Sequence, residues 1–374
     1  MIVIMKMNSI NRKKLCSFCA FFLLLLLLSG CSFPRQKIID EIQIISVYGF
    51  DKVDKHFVGT ALYSDFTDVA NKGSNLLQGN GKKSLIIKQA LNEQSPKPIE
   101  MGKLNLLIFG KELAENGVSY FVEAVCRDPL IGSNAILAVS EEPAGELLKK
   151  NKEKDSNYIY KLVEQNFRTQ FVPLPTLHSF LFDYYGEGRD ASVPYIKINQ
   201  KENIEVNGLA VFKKDKLALT LNPRESLLYK ILRGRVIRGQ TEINIQKGKK
   251  IDSAILTILN GDEKRLIKGN KAKTKVKFDI TLNGMVKDYP EWLDLMKREN
   301  NLFLNNQLEK QMKEDFEKLL LTFQKHQVDP LGIGDLARAH SKKWYEKEFY
   351  EKVYPAIEYD VNVKVVLFQS GIGE

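Results

Sequence analysis

Leu104-Asn105-Leu106-Leu107-Ile108-Phe109-Gly110-Lys111-Glu112-Leu113-Ala114-Glu115-Asn116-Gly117 passes without a break from an apolar run into a helical pattern. Residues 104–109 have the length of a buried strand, and 111–116 form a helix closed by Gly117. Outward from there, 118–127 is a second helix. Asp128-Pro129 stops it, because the residue before a proline disfavours the α region. Residues 135–139 are the next strand and 142–149 the next helix. On the other side, 85–94 is a helix, and 41–47 and 57–63 are strands joined in a hairpin by the polar turn 49–55. Residues 71–84, rich in Asn, Gly and Lys, are expected as a loop. The alternation predicts an α/β unit through about residue 150.

Beyond it, 156–171 and 176–185 are helices separated by Pro173 and Pro175, and 194–199 is a strand that closes the unit. A second unit starts near Ile204, with strands 205–212 and 217–221 about the turn Lys213-Lys214-Asp215-Lys216. Asn222 caps a helix that has Pro223 at its first position, runs to about Leu232 and is stopped by Gly234. Strands recur at 235–245, 251–259 and 272–282. The longest helical stretch is 289–325, where Leu308, Met312, Phe316, Leu319 and Phe323 form one apolar stripe; Glu309 with Lys313 and Glu314 with Lys318 pair on the opposite face. Ile357, Tyr359, Val361, Val363, Val365 and Leu367 then alternate with polar residues along a strand with one covered face. The expected fold is α+β, built of several mixed-sheet α/β subdomains. Four segments are expected: 1–30, a removed signal peptide; 31–200, an N-terminal α/β domain; 201–270, a middle domain; and 271–374, a C-terminal α+β domain holding the long helix and strand.

The composition, 44% hydrophobic and 27% charged over 374 residues, excludes a collagen, a disordered tail or a polytopic membrane protein. Lys6, Arg12, Lys13 and Lys14 precede residue 31 with no acid among them, so the chain from Cys31 onward carries 52 bases against 46 acids, +6. Arg12-Lys13-Lys14 leads into the apolar run 15–28, too short for a spanning helix, which needs ~20 residues. The run fits the core of a secretory signal, and Leu28-Ser29-Gly30-Cys31 resembles a bacterial lipobox. In a lipobox the Cys thiol receives a diacylglyceryl group and the chain is cut before it, making Cys31 the lipidation site of an acylated, palmitate-type lipoprotein. An ordinary signal peptide or an uncleaved anchor are the other readings, and all three place the body outside the cytoplasm. Of the four cysteines, Cys16 and Cys19 fall in the removed segment and only Cys126 remains. A buried small hydrophobe is expected there, after Phe121, Val122 and Val125.

Signals for catalysis are nearly absent. His56, His178, His326 and His340 have no metal-ligand spacing, and no Gly-x-Ser-x-Gly elbow occurs. Gly79-Asn80-Gly81-Lys82-Lys83-Ser84 resembles a phosphate loop, but Leu76 stands where the first glycine belongs and no strand is expected before it. Lys273, Lys275 and Lys277 alternate along a strand, either toward anionic headgroups or as lysine guards of a sheet edge. No metal, no cofactor, no nucleic acid and no enzymatic activity are expected.

Several segments together resemble the Ger(x)C family, the lipoprotein C subunit of the nutrient germinant receptors of endospore-forming bacteria. They are Val47-Tyr48-Gly49-Phe50-Asp51-Lys52, then Gly102-Lys103-Leu104 through Phe109-Gly110-Lys111-Glu112-Leu113-Ala114, and Arg127-Asp128-Pro129. In the second half are the run from Gly208 to Leu217, Asp329-Pro330-Leu331-Gly332-Ile333-Gly334, and Trp344 with a strand ending near Gly371. Ser32-Phe33-Pro34-Arg35 departs from the Trp-Asp pair that members commonly carry after the lipidated Cys. The resemblance implies an α+β protein of about three small domains. It also implies a non-enzymatic, lipid-anchored subunit at the outer face of the cell membrane and the spore inner membrane, required for nutrient-triggered spore germination. Its partners would be a membrane A subunit and a transporter-like B subunit. A solute-binding lipoprotein of a transporter is the alternative. Gly49 and Gly110 read as glycines where strands leave for turns, at positive φ.

Overall fold

The computed structural model describes residues 17–18, 38–64, 74–169, 176–234, 238–270 and 273–368; Cys31 and the lipobox lie outside them. The chain divides into two compact units, Met1–Ile42 and Gln43–Glu374. The first has a 3-10 turn at Ile39–Glu41. Among the described residues, every strand lies in the second.

Strands β1 (Gln43–Val53), β2 (His56–Ser64) and β3 (Ser74–Gly81) form an antiparallel meander. A two-residue strand β4 (Ile99–Glu100) lies parallel to the start of β1. β5 (Leu106–Gly110), β6 (Ile136–Ser140) and β7 (Ser192–Ile198) extend the sheet in parallel, and β8 (Ile204–Lys213) and β9 (Lys216–Leu221) finish it antiparallel. The order is β3-β2-β1-β5-β6-β7-β8-β9. The backbone pairing of β7 with β8 thus crosses residue 200. Every residue of β5 and β6 is buried, which is why both read as unbroken apolar runs: helices cover the sheet on both faces.

Helices α1 (Ser84–Asn92), α2 (Lys111–Asn116) and α3 (Ser119–Arg127) pack on one face, α4 (Ala144–Lys150) and α5 (Tyr158–Thr169) on the other, and α6 (Leu177–Tyr185) returns to the first. Helix α7 (Pro223–Leu232) begins at a capping box: Glu225 N donates to the Asn222 side chain and Asn222 N to the Glu225 carboxylate. All of its residues from Ser226 to Leu232 are buried, since it lies between two sheets rather than on a surface.

The second sheet has the order β10-β11-β12-β13: β10 (Gly239–Lys247), β11 (Lys250–Asn270) and β12 (Lys273–Asp288) are antiparallel, and β13 (Glu358–Leu367) lies parallel to β12. The 28-residue helix α8 (Arg298–Lys325) runs over it with Leu308, Met312, Phe316, Leu319 and Phe323 buried, each worth about 1.5–3 kcal/mol of transfer from water. Short helix α9 (Ile333–Ala339) and the turns Glu346–Glu348, Phe349–Val353 and Tyr354–Ala356 lead into β13. One continuous core joins Val47, Ile108 and Leu147 of the first layer to Leu228, Leu256, Phe278 and Phe316.

The structure corrects several expectations. Residues 49–53 are strand, not turn: β1 pairs with β2 as far as Val53↔His56, and the turn is Asp54-Lys55, with Asp54 at φ 53°. Residues 74–81 are a strand, not a loop, so a strand does lead into Lys82-Lys83-Ser84. Its Gly79 and Gly81 let α1 lie close, as a Cβ on Gly79 would stand 2.9 Å from the Ile87 carbonyl oxygen. β11 runs to Asn270 rather than 259, because pairing with β12 continues through polar residues on its open face. The long helix starts at Arg298, after turns in 289–297. Glu309 turns to accept from Val365 N (2.9 Å) instead of pairing with Lys313.

Candidate functional site

Asp51, near the end of β1, is buried, and its two carboxylate oxygens accept from Ala144 N (2.6 Å) and Gly145 N (2.8 Å) at the start of α4. Burial pushes this carboxyl up, while the two N–H groups pull against that. A Cβ on Gly110 would lie 2.1 Å from Asp51 Oδ1, and one on Gly49 would lie 2.9 Å from Ala144 Cβ. Neither glycine has a positive φ; close approach, not backbone conformation, is what requires them.

Asp329-Pro330-Leu331-Gly332-Ile333-Gly334 lies between the two sheets. The Asp329 carboxylate is fully buried: Oδ1 accepts from Ile333 N (2.9 Å), and Oδ2 from Gly334 N (2.7 Å) and the Tyr350 hydroxyl (3.1 Å). Asp329 N donates to Asp190 Oδ2 (2.6 Å), and the Asp190 N–H returns a bond to the Asp329 carbonyl (3.0 Å). Lys213, at the end of β8, donates to the same Asp190 oxygen (3.0 Å) and sits 3.9 Å from the centre of the Tyr350 ring. Burial pushes Asp329 up to about 6 against its two backbone donors, and raises Asp190 despite Lys213. Tyr229 and Arg233 both donate to the Pro330 carbonyl (3.2 and 3.1 Å), and Arg265 to that of Leu331 (2.8 Å). Gly188 and Gly334 pass so closely that a Cβ on Gly188, at φ +74°, would stand 2.3 Å from Asp335 N.

Two of the family-like segments, 208–217 and 329–334, therefore meet through Lys213, Asp190 and Asp329. Sequence reasoning missed Asp190 and Tyr350, which lie in no motif. A cleft of about 610 Å³ opens over Asp190, Lys213 and Tyr350, with Tyr184, Tyr185 and Glu187 on its walls. Both oxygens of Asp329 are taken by groups of the chain itself, so the arrangement holds shape: it ties α9 and the turns after it to the first sheet.

The other candidate residues are dispersed. Cys126 is exposed, because Phe121, Val122 and Val125 take the inner side of α3 and the next position turns outward. The four histidines are exposed on separate elements, and among the described residues no cluster of His, Cys, Asp or Glu could hold a metal. β12 is internal, between β11 and β13, so its lysines guard no edge: Lys275 approaches Asp360 (3.5 Å) and Lys277 approaches Asp279 (2.8 Å). Among the described residues no helix is long and apolar enough to cross a membrane.

Two family models match in tandem, a spore germination protein N-terminal domain over residues 35–198 and a spore germination B3/GerAC-like C-terminal domain over 207–371. The chain is 27% identical to the spore germination protein GerQC of Bacillus cereus, over 95% of this chain and 98% of that protein. Among solved structures, the crystal structure of the GerBC protein matches with a TM-score of 0.58 at 13% identity, covering 86% of this chain and 97% of that one. That likeness shows the fold, α+β with two mixed sheets.

Proposed function

As this chain belongs to the Ger(x)C family of spore germination proteins, we propose that it is a non-enzymatic, lipid-anchored subunit of a germinant receptor, required for nutrient-triggered germination. The observation that carries this reading is the ordered match of both family domains over residues 35–371, nearly the whole span after the lipobox. Cys31 carries the diacylglyceryl anchor. Two acyl chains, at ~0.8 kcal/mol per buried methylene, hold the body on the outer face of the membrane, the spore inner membrane, where one chain would be marginal. The partners are the A and B membrane subunits, and the protein acts on them by contact. The tied junction supports this over a solute-binding protein, which needs lobes free to close: the chain passes once from the first sheet to the second, and Asp190, Asp329, Arg233 and Arg265 pin the return. Deletion tests the proposal. The expected result is loss of the response to one set of nutrients with growth, sporulation and non-nutrient germination intact. A transport defect in growing cells with an unchanged nutrient response would overturn it.

A further inference from the structure

A second cavity, of about 350 Å³, lies between the far ends of β11 and β12 and the segment that follows α9. It shares no lining residue with the cleft over Asp190. Its volume falls in the range of small-molecule sites, ~300–1,000 Å³. Ile267, Ala337, Trp344, Phe349 and Val353 make its walls apolar, with the Trp344 and Phe349 rings 5.1 Å apart. The lip is basic: Lys268 and Lys343 are exposed there beside His340, whose Nδ1 donates to the Leu336 carbonyl (2.8 Å). Glu348 is the one carboxylate side chain among the described lining residues.

An apolar chamber with two ammonium groups at its mouth selects for a molecule that has an apolar body and a negative end. A neutral apolar compound would leave the lysines without a role. A strongly hydrated anion such as phosphate would lose water against Trp344 and Phe349 with nothing to replace it. We propose that this cavity binds a small apolar carboxylate, its body against Trp344 and Phe349 and its charge facing Lys268 and Lys343. The site stands on these residues alone and does not depend on the receptor reading above.

The test is calorimetric titration of the full-length chain in neutral-lipid nanodiscs with 3-phenylpropionate and with its uncharged counterpart 3-phenylpropanol. The acid is expected to bind saturably, one per chain, with Kd below about 1 mM, and the alcohol about tenfold more weakly or worse. Replacing both exposed lysines, Lys268→Ala with Lys343→Ala, should weaken the acid about tenfold and leave the alcohol unchanged. Ala337→Phe fills the chamber and should abolish both; if that variant does not fold, the surface lysine pair carries the test alone. No saturable heat from the acid, equal affinity for acid and alcohol, or indifference to the lysine pair would each overturn the proposal.

Discussion

Asp329→Asn changes one atom in the junction and has a definite pH dependence. In the native chain Ile333 N and Gly334 N donate to different oxygens of Asp329. An amide has one acceptor oxygen, so one of these buried N–H groups loses its partner, at about 1–3 kcal/mol. Against this, the variant has no charge to bury. With Asp329 raised from 3.8 to about 6, the folded chain binds more protons than the unfolded chain between those values, so wild-type stability falls as pH rises through them. Two pH units correspond to about 3 kcal/mol, present below the unfolded value and lost above the folded one. Urea unfolding of both proteins, followed by tryptophan fluorescence from pH 4 to 8, should show the wild type ahead by about 1–3 kcal/mol at the acid end. The gap should shrink through pH 6 and close or reverse by pH 8. Asp190 stays in both proteins, but its charge helps to raise Asp329, so the two carboxyls titrate as a pair and removing the Asp329 charge lowers Asp190 in the variant. A gap independent of pH, or one that widens as pH rises, would refute the assignment of Asp329 as a buried, proton-binding clamp.

Two further outcomes are expected from the same geometry and the lipobox. Gly188→Ala puts a Cβ 2.3 Å from Asp335 N at φ +74°, and should cost about 2–4 kcal/mol, read as a lowered urea midpoint with an unchanged slope. Cys31→Ala should leave the melting temperature of the body unchanged but release it from the membrane fraction, with no diacylglyceryl mass on the N-terminal peptide.

Elements with local signals were legible in the sequence: the Asn222-Pro223 helix start, the buried stripe of α8 and the alternating face of β13 all stand as their patterns required. β3 was not, because Asn and glycines that normally mark a loop are used there to admit α1 at close range. The far half of β11 was hidden for a different reason: Asp262, Lys264 and Lys268 face outward and Glu263 and Arg265 pair with each other inward, so no apolar alternation marks it while pairing with β12 sustains the strand. At the junction, Asp329 stood in a recognisable segment, but its meaning was not legible. It depends on Asp190, 139 residues away, and primary sequence carries no signal for which distant carboxylate receives a given N–H. Gly49 and Gly110 were rightly marked as positions for glycine and wrongly explained, since local conformation is the reason a sequence suggests and crowding by Asp51 and Ala144 is the reason found. The two matched family domains leave a gap between residues 198 and 207, and the pairing of β7 with β8 runs across it.

Action by contact with membrane partners is the centre of this account, and crosslinking in intact spores tests it most directly. Spores carrying the tagged full-length chain would be treated with a short amine-reactive crosslinker, and the adducts identified by mass spectrometry from the inner-membrane fraction. The account predicts adducts joining surface lysines of this chain to the A and B receptor subunits, lost when either partner is deleted. Adducts to a substrate-importing permease instead, or to neither receptor subunit while the chain is present and folded in that membrane, would contradict it.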